Sequence, residues 1–212
     1  MFDYKTLRSL RLCGKIYLMK RIFIAIDISE EARRKVSDYI ESLRKEFPKL
    51  RVGWEKAEKL HLTMKFLGDT SEEQLQKLNA AFERTAQIIS NAEFQKRDFT
   101  FQILETGVFP TPKKARILWL GLKDEKGILT KINEILEAEC EKFGFAKENR
   151  KFKPHLTIAR LRESQFSGKL VEKHLQNEFE PVEFEVSEIV IYESKLQPGG
   201  SIYSKVSSFK LF

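Results

Sequence analysis

The chain of 212 residues is poor in cysteine and histidine, with two of the first and three of the second. Cys13 and Cys140 lie far apart and form no Cys-x-x-Cys or Cys/His spacing. Neither a disulfide framework nor a thiolate zinc site is therefore expected, and a reducing cytoplasm fits this usage. No apolar run approaches the roughly 18 residues that a membrane span requires. Glycine-rich βαβ turns and low-complexity tracts are missing as well, which argues against a doubly wound nucleotide-binding fold and against a disordered chain.

What is present is a soluble composition, 42% hydrophobic and 33% charged. The length suits one domain, or two half-sized lobes sharing a cleft. The 38 Lys and Arg exceed the 31 Asp and Glu, for a net charge of +7. That excess favours a polyanion such as RNA only mildly, because the two signs are interspersed.

Residues 1–18 stand apart. Lys5, Arg8, Arg11 and Lys15 interrupt every apolar stretch, so no signal-peptide core forms. The Leu10–Cys13 segment resembles a lipoprotein cleavage site, but Arg11 and Leu12 are not the small residues such a site needs. Met19 opens a strong strand and is expected to be the natural start, or the leader is a loosely held extension.

From Met19 onward the pattern alternates between element types. Ile22–Ile28 reads as a buried strand, and Ser29 with Glu30 and Glu31 as the capped start of a helix that Pro48 helps to stop. The segment from His61 to Gly68 reads as a strand, and Thr70 with Glu73 as a capping box for a second helix. Phe99–Phe109 and Ile117–Leu122 read as paired strands around a Pro- and Lys-rich loop. A third helix over Ile128 to Phe143 is expected to stop at Gly144. A strand around His155, a short helix near Leu170–Phe179, and strands over Val182–Tyr192 and Ile202–Leu211 complete the chain. The expected class is α+β.

One pattern occurs twice. His61-Leu62-Thr63-Met64 and His155-Leu156-Thr157-Ile158 place the same residue types once in each half. On a strand, each His shares a face with its Thr, while the flanking aliphatic residues point into the core. Two such platforms facing each other would put two imidazoles and two hydroxyls in one cleft. One ring can take a proton while the other gives one, and the hydroxyls can bind phosphate oxygens. In-line displacement at phosphorus needs that arrangement. A lone His on a strand is usually structural, but a doubled His-x-Thr pattern is hard to explain in that way. Zinc is a poor reading, since two His without an acidic or thiol third ligand leave its shell short. His174, in a helix without a companion motif, reads as surface or core.

These motifs, with the strand before them, resemble the two-histidine phosphoesterase superfamily, and within it the bacterial and archaeal 2′-5′ RNA ligase branch. The resemblance runs from Met19 to the C-terminus, through LHLTMKFLG, VFPTPKKARILWLGL, FKPHLTIAR and IYESKLQPGGSIYSKV. Residues 1–18 lie outside it, leaving 19–212 as a single two-lobed domain. The resemblance implies two pseudo-symmetric lobes of mainly antiparallel sheet, with helices outside, flanking a central cleft.

It further implies hydrolysis of RNA 2′,3′-cyclic phosphate ends to 2′-phosphomonoesters, and reversible 2′-5′ ligation, without metal, ATP or another cofactor. His61 is then the acid for the departing ribose oxygen and His155 the base for water. Thr63, Thr157 and Arg160 would hold the phosphate. Strict alternation puts Arg160 on the far face from His155, so this role requires a bend, and a solvated Arg is the competing reading. Phe66 and Phe23 are candidates for stacking on a base, against the alternative of core positions. Lys113, Lys114 and Arg116 either follow the RNA backbone or form a solvated turn. The expected partner is RNA bearing a cyclic phosphate, tRNA fragments included, bound by a cytoplasmic monomer without a membrane. The competing functions are a phosphodiesterase acting on 2′-5′ oligonucleotides or a cyclic-phosphate metabolite, and a non-catalytic RNA-end binder.

Overall fold

The computed structural model describes residues 9–12, 15–91, 95–198 and 200–211. Cys13 lies outside them. Among the described residues, strands β1 (Ser9–Leu12) and β2 (Lys15–Leu18) pair only with each other. The chain then runs through β3 (Lys20–Asp27), α1 (Glu30–Glu46), β4 (Val52–Trp54), β5 (His61–Thr70), α2 (Glu72–Asn91), β6 (Thr100–Phe109) and β7 (Ile117–Lys123). It continues through α3 (Ile128–Lys142), β8 (His155–Leu161), α4 (Gly168–Gln176), β9 (Val182–Glu185), β10 (Glu188–Lys195) and β11 (Ile202–Lys210).

The large sheet has the order β11-β10-β3-β5-β8-β7-β6-β9, with β4 added to β8, and its ladders are antiparallel. The class is α+β. Two four-stranded halves meet at β5 and β8 through one residue pair, Leu62 with Leu156. Two helices exchange sides: α3 packs on β5 of the first half, and α1 packs on β9 of the second. The core runs continuously behind both halves, from Ile24 and Leu62 to Leu120 and Leu156.

Local chemistry sets the helix ends. The Ser29 hydroxyl accepts from the Ala32 amide and starts α1. Gly144 takes φ 85° just past α3, where Phe145 N–H bonds to the Cys140 carbonyl and Gly144 N–H to that of Glu141. That left-handed stop is the one its glycine signals.

Two boundaries differ from the sequence reading. The capping box of α2 is Ser71 with Gln74, each side chain bonded to the other's amide. Thr70 stays in β5, fully buried, with its hydroxyl donating to the Gly68 carbonyl. The expected strand over Val182–Tyr192 is two strands, because β9 pairs with β6 in one half and β10 with β3 in the other. The chain changes halves at Val186 and Ser187, whose backbones bond to Phe99 and Leu211.

Candidate active site

Strands β5 and β8 each begin on a motif histidine, and Leu62 and Leu156, both fully buried, form the pair that joins them. Extending this antiparallel register sets His61 across from Thr157, and Thr63 across from His155. The two motifs are thus related by an approximate two-fold axis through the leucine pair, and their histidines share one face of the sheet.

Each motif is followed by a β-bulge. In the β3–β5 ladder the partners step from Ala25–Thr63 to Ile24–Lys65, leaving Met64 extra. In the β7–β8 ladder they step from Trp119–Thr157 to Leu118–Ala159, leaving Ile158 extra. A bulge resets the alternation of faces. Met64 and Lys65 are both buried, as are Ile158 and Ala159, and the next residues, Phe66 and Arg160, return to the histidine face. The bend that the Arg160 role requires is this bulge, and the Arg160 charge bears on both imidazoles.

The imidazoles are held alike. Nδ1–H of His61 donates to the Lys59 carbonyl at 2.7 Å, and Nδ1–H of His155 to the Lys153 carbonyl at 2.7 Å. A carbonyl only accepts, so in each neutral ring Nε2 is the basic nitrogen. Thr63 Oγ1 lies 3.0 Å from Nε2 of His61, while Nε2 of His155 has no partner among the described residues. Burial lowers the pKa of both rings. Around His61 the Asp27 carboxylate opposes that shift, while Arg33 and Arg160 add to it. Around His155 the bond to the Lys153 carbonyl opposes the shift, while the charges of Lys153 and Arg160 add to it.

Aromatic walls orient both rings. His61 packs on Phe23 (centroids 4.9 Å apart) and edge-on to Tyr203 (5.4 Å). His155 meets Phe109 edge-on at 5.0 Å and Trp119 at 6.2 Å. The Trp119 indole lies over Gly107, where a Cβ would come within 2.0 Å of it. Lys153 caps Trp119 at 4.1 Å, and Lys59 sits 5.9 Å from the Tyr203 ring centre.

Of the two stacking candidates, Phe66 is 67% exposed and Phe23 only 3%. The Phe23 ring is closed off by His61, Phe66, Tyr192 and Tyr203, so it supports His61 and cannot receive a base. Lys113, Lys114 and Arg116 are exposed beside a turn after β6. His174 is wholly buried: Nε2–H faces the carbonyls of Gly107 (3.1 Å) and Trp119 (3.2 Å), and Nδ1 accepts from Tyr39 Oη–H. It ties α1 and α4 to the back of the wall behind His155.

Several residues of the site carry no motif. Asp27 sits directly across from His61, and both of its oxygens accept from the Tyr192 hydroxyl (3.0 and 2.8 Å). Burial, with this bond second, pushes the Tyr192 phenol far above its ordinary range, so it stays a donor. Glu55 continues β4, with its amide bonded to the carbonyl of the bulge residue Ile158. The available signal for Asp27 was a charged residue ending the apolar run IFIAID. Tyr192 lay in the segment IYESKLQPGGSIYSKV that carries the resemblance, and Glu55 had no signal. Among the described residues, no group of three or more His, Cys, Asp or Glu converges.

The 2′-5′ RNA ligase superfamily model matches residues 31–197. An RNA 2′,3′-cyclic phosphodiesterase of Methanothermobacter thermautotrophicus is 32% identical over 194 residues, covering 90% of this chain and 98% of the relative. A protein of the same name from Thermotoga maritima is 32% identical over 184 residues, covering 86% and 91%. The crystal structure of a Thermus thermophilus protein, TT0787, superposes with a TM-score of 0.69 at 26% identity, covering 90% of this chain and 97% of that one.

Proposed function

The chain belongs to the 2′-5′ RNA ligase superfamily, and on that premise we propose that it hydrolyses RNA 2′,3′-cyclic phosphate ends to 2′-phosphomonoesters. The observation that carries this reading is the meeting of the two His-x-Thr motifs about the Leu62–Leu156 pair, with Nδ1 of each histidine engaged by a backbone carbonyl. Relatives named RNA 2′,3′-cyclic phosphodiesterase, matching nearly their whole length, support the substrate class.

The chemistry needs two proton transfers. Water attacks phosphorus and gives its proton to Nε2 of His155. The bond from phosphorus to O3′ breaks, and protonated Nε2 of His61 delivers its proton to the departing O3′. The Asp27 carboxylate across from His61 offsets part of the burial that lowers both rings and makes His61 the readier of the two to carry a proton, whereas Gly121 across from His155 supplies no such charge. Thr63, Thr157 and Arg160 bind the non-bridging oxygens, Arg160 through its planar fork. With both transfers assigned to side chains, the reaction calls for no metal. With a 5′-hydroxyl in the place of water, the same displacement gives a 2′-5′ link.

The partner is accordingly an RNA end with a cyclic phosphate, and the enzyme a cytoplasmic monomer. Cys140, a buried free thiol with a pKa pushed up to about 12 by burial, is consistent with a reducing compartment. The test is turnover of 2′,3′-cyclic AMP in excess EDTA, followed by phosphorus NMR. A 2′-phosphate is expected. Loss of activity in chelator with restoration by zinc or manganese would overturn the mechanism, and a 3′-phosphate would reverse the placement of the substrate.

A further inference from the structure

Glu55 is an acidic residue set into a cleft otherwise suited to an anion. Its backbone is fixed at the bulge behind Thr157, because Glu55 N–H bonds to the Ile158 carbonyl at 2.9 Å. Its side chain belongs to the histidine face. Gly53 pairs with Arg160 across β4 and β8, and a Cβ on Gly53 would lie 3.8 Å from that of Arg160. Two residues along, Glu55 points the same way. It lies within the field of Arg160 and Lys59, and its own charge bears on Tyr203, whose ring flanks His61.

The Glu55 carboxyl is half-buried, bonds to the Lys56 backbone, and makes no ion pair with a described cation. Burial holds its pKa above the usual carboxylate range in spite of the nearby cations. Such a group lacks its complement of donors, and a half-desolvated acceptor is costly to leave unmatched. The phosphate supplies none and repels it. The ribose of a 2′,3′-cyclic phosphate supplies none either, since both ring hydroxyls are esterified. The donors that remain on the terminal nucleotide are those of its base.

We propose that Glu55 reads the terminal nucleobase and that the base it takes is guanine. A carboxylate presents two adjacent acceptors. Guanine alone offers two adjacent donors on its Watson–Crick edge, N1–H and N2–H. Adenine and cytosine each set one amino donor beside an acceptor nitrogen, and uracil flanks its N3–H with two carbonyls. The inference rests on the cyclic-phosphate reading for the identity of the ligand.

The experiment measures kcat/KM of wild type and Glu55→Gln on the 2′,3′-cyclic phosphates of all four nucleosides. Wild type is expected to favour guanosine by at least about tenfold, the scale of a charged hydrogen bond. In Glu55→Gln the amide offers one acceptor and one donor, which suits adenine N6–H and N1 and cytosine N4–H and N3. The preference should therefore move away from guanosine, toward adenosine and cytidine. Equal use of the four bases by wild type, or an equal loss on all four in the variant, would place Glu55 on Arg160 instead and overturn the proposal. Calorimetric affinities of guanosine and adenosine 2′-monophosphate for both proteins read base selectivity without turnover. Failure of the phosphodiesterase reading and failure of base reading are thereby distinguishable.

Discussion

Asp27 lies directly across from His61 in the β3–β5 ladder, and the matching place beside His155 is taken by Gly121. The two halves are built alike, down to the bulge after each motif and the carbonyl that engages each Nδ1. Two equivalent rings would not divide an acid from a base. One carboxylate, positioned by the Tyr192 hydroxyl, breaks the equivalence.

Asp27→Asn therefore tests the division of labour. The acid must be protonated and the base free, so the rate should follow a bell, its alkaline limb set by the acid and its acid limb by the base. Removing the carboxylate lowers the pKa of His61, and the alkaline limb of kcat/KM should move to lower pH. The acid limb should stay. Movement of the acid limb alone would make His61 the base.

His61→Ala and His155→Ala should each lower kcat by about a hundredfold or more. The double variant should lose far less than the product of the two, since both rings act in one step. Thr63→Val and Thr157→Val should lose less than either. Near-normal turnover in one His variant, measured on a cyclic mononucleotide, removes that residue from the mechanism.

Gly107→Ala sets a Cβ against the Trp119 indole at 2.0 Å, where no relaxation of a flexible side-chain tip can absorb it. Overpacking of this kind costs about 1–3 kcal/mol. The displaced indole walls His155, so kcat should fall together with the urea midpoint. Unchanged kcat at lowered stability would mean that the wall does not position the ring.

Stability should fall on acidification. His61, His155 and His174 all have pKa values lowered from 6.5, chiefly by burial, so the folded state prefers each ring neutral. Above 6.5 neither state takes up a proton and the full stability is present. As pH drops below 6.5 the unfolded chain protonates first, and stability is lost down to the folded values. His174→Gln should be less stable at pH 7.5 and less sensitive to acid, as read from urea midpoints at pH 7.5 and 5.5. An unchanged acid sensitivity would leave His174 out of the linkage.

The element types and the two-platform arrangement were legible because they depend on local rules: apolar period, caps and a doubled motif. What was hidden depends on register. A strict period of two places Arg160 away from His155, and only the pairing of β8 with β7 reveals the extra residue Ile158. Phe23 looked like either core or platform, and its burial follows from Tyr192 and Tyr203, which arrive from the far end of the chain. The break between β9 and β10 was invisible for a similar reason. Both pieces are strands, and nothing local says that they belong to different halves.

Arg160→Gln separates the bulge-delivered role from that of a solvated side chain. In this register the guanidinium reaches the same face as both imidazoles and lowers both pKa values. Its removal should raise both, so the two limbs of the kcat/KM profile should shift together to higher pH, unlike the one-sided shift of Asp27→Asn. The substrate phosphate also loses its forked partner, so kcat/KM at the optimum should fall, by at least about tenfold for a charged hydrogen bond. Arg160→Lys should keep the charge and the limb positions but recover only part of the rate, because an ammonium cannot grip two oxygens in the plane of a fork. A pH profile identical to wild type, with kcat/KM unchanged, would put Arg160 in solvent and leave the phosphate to the two threonines.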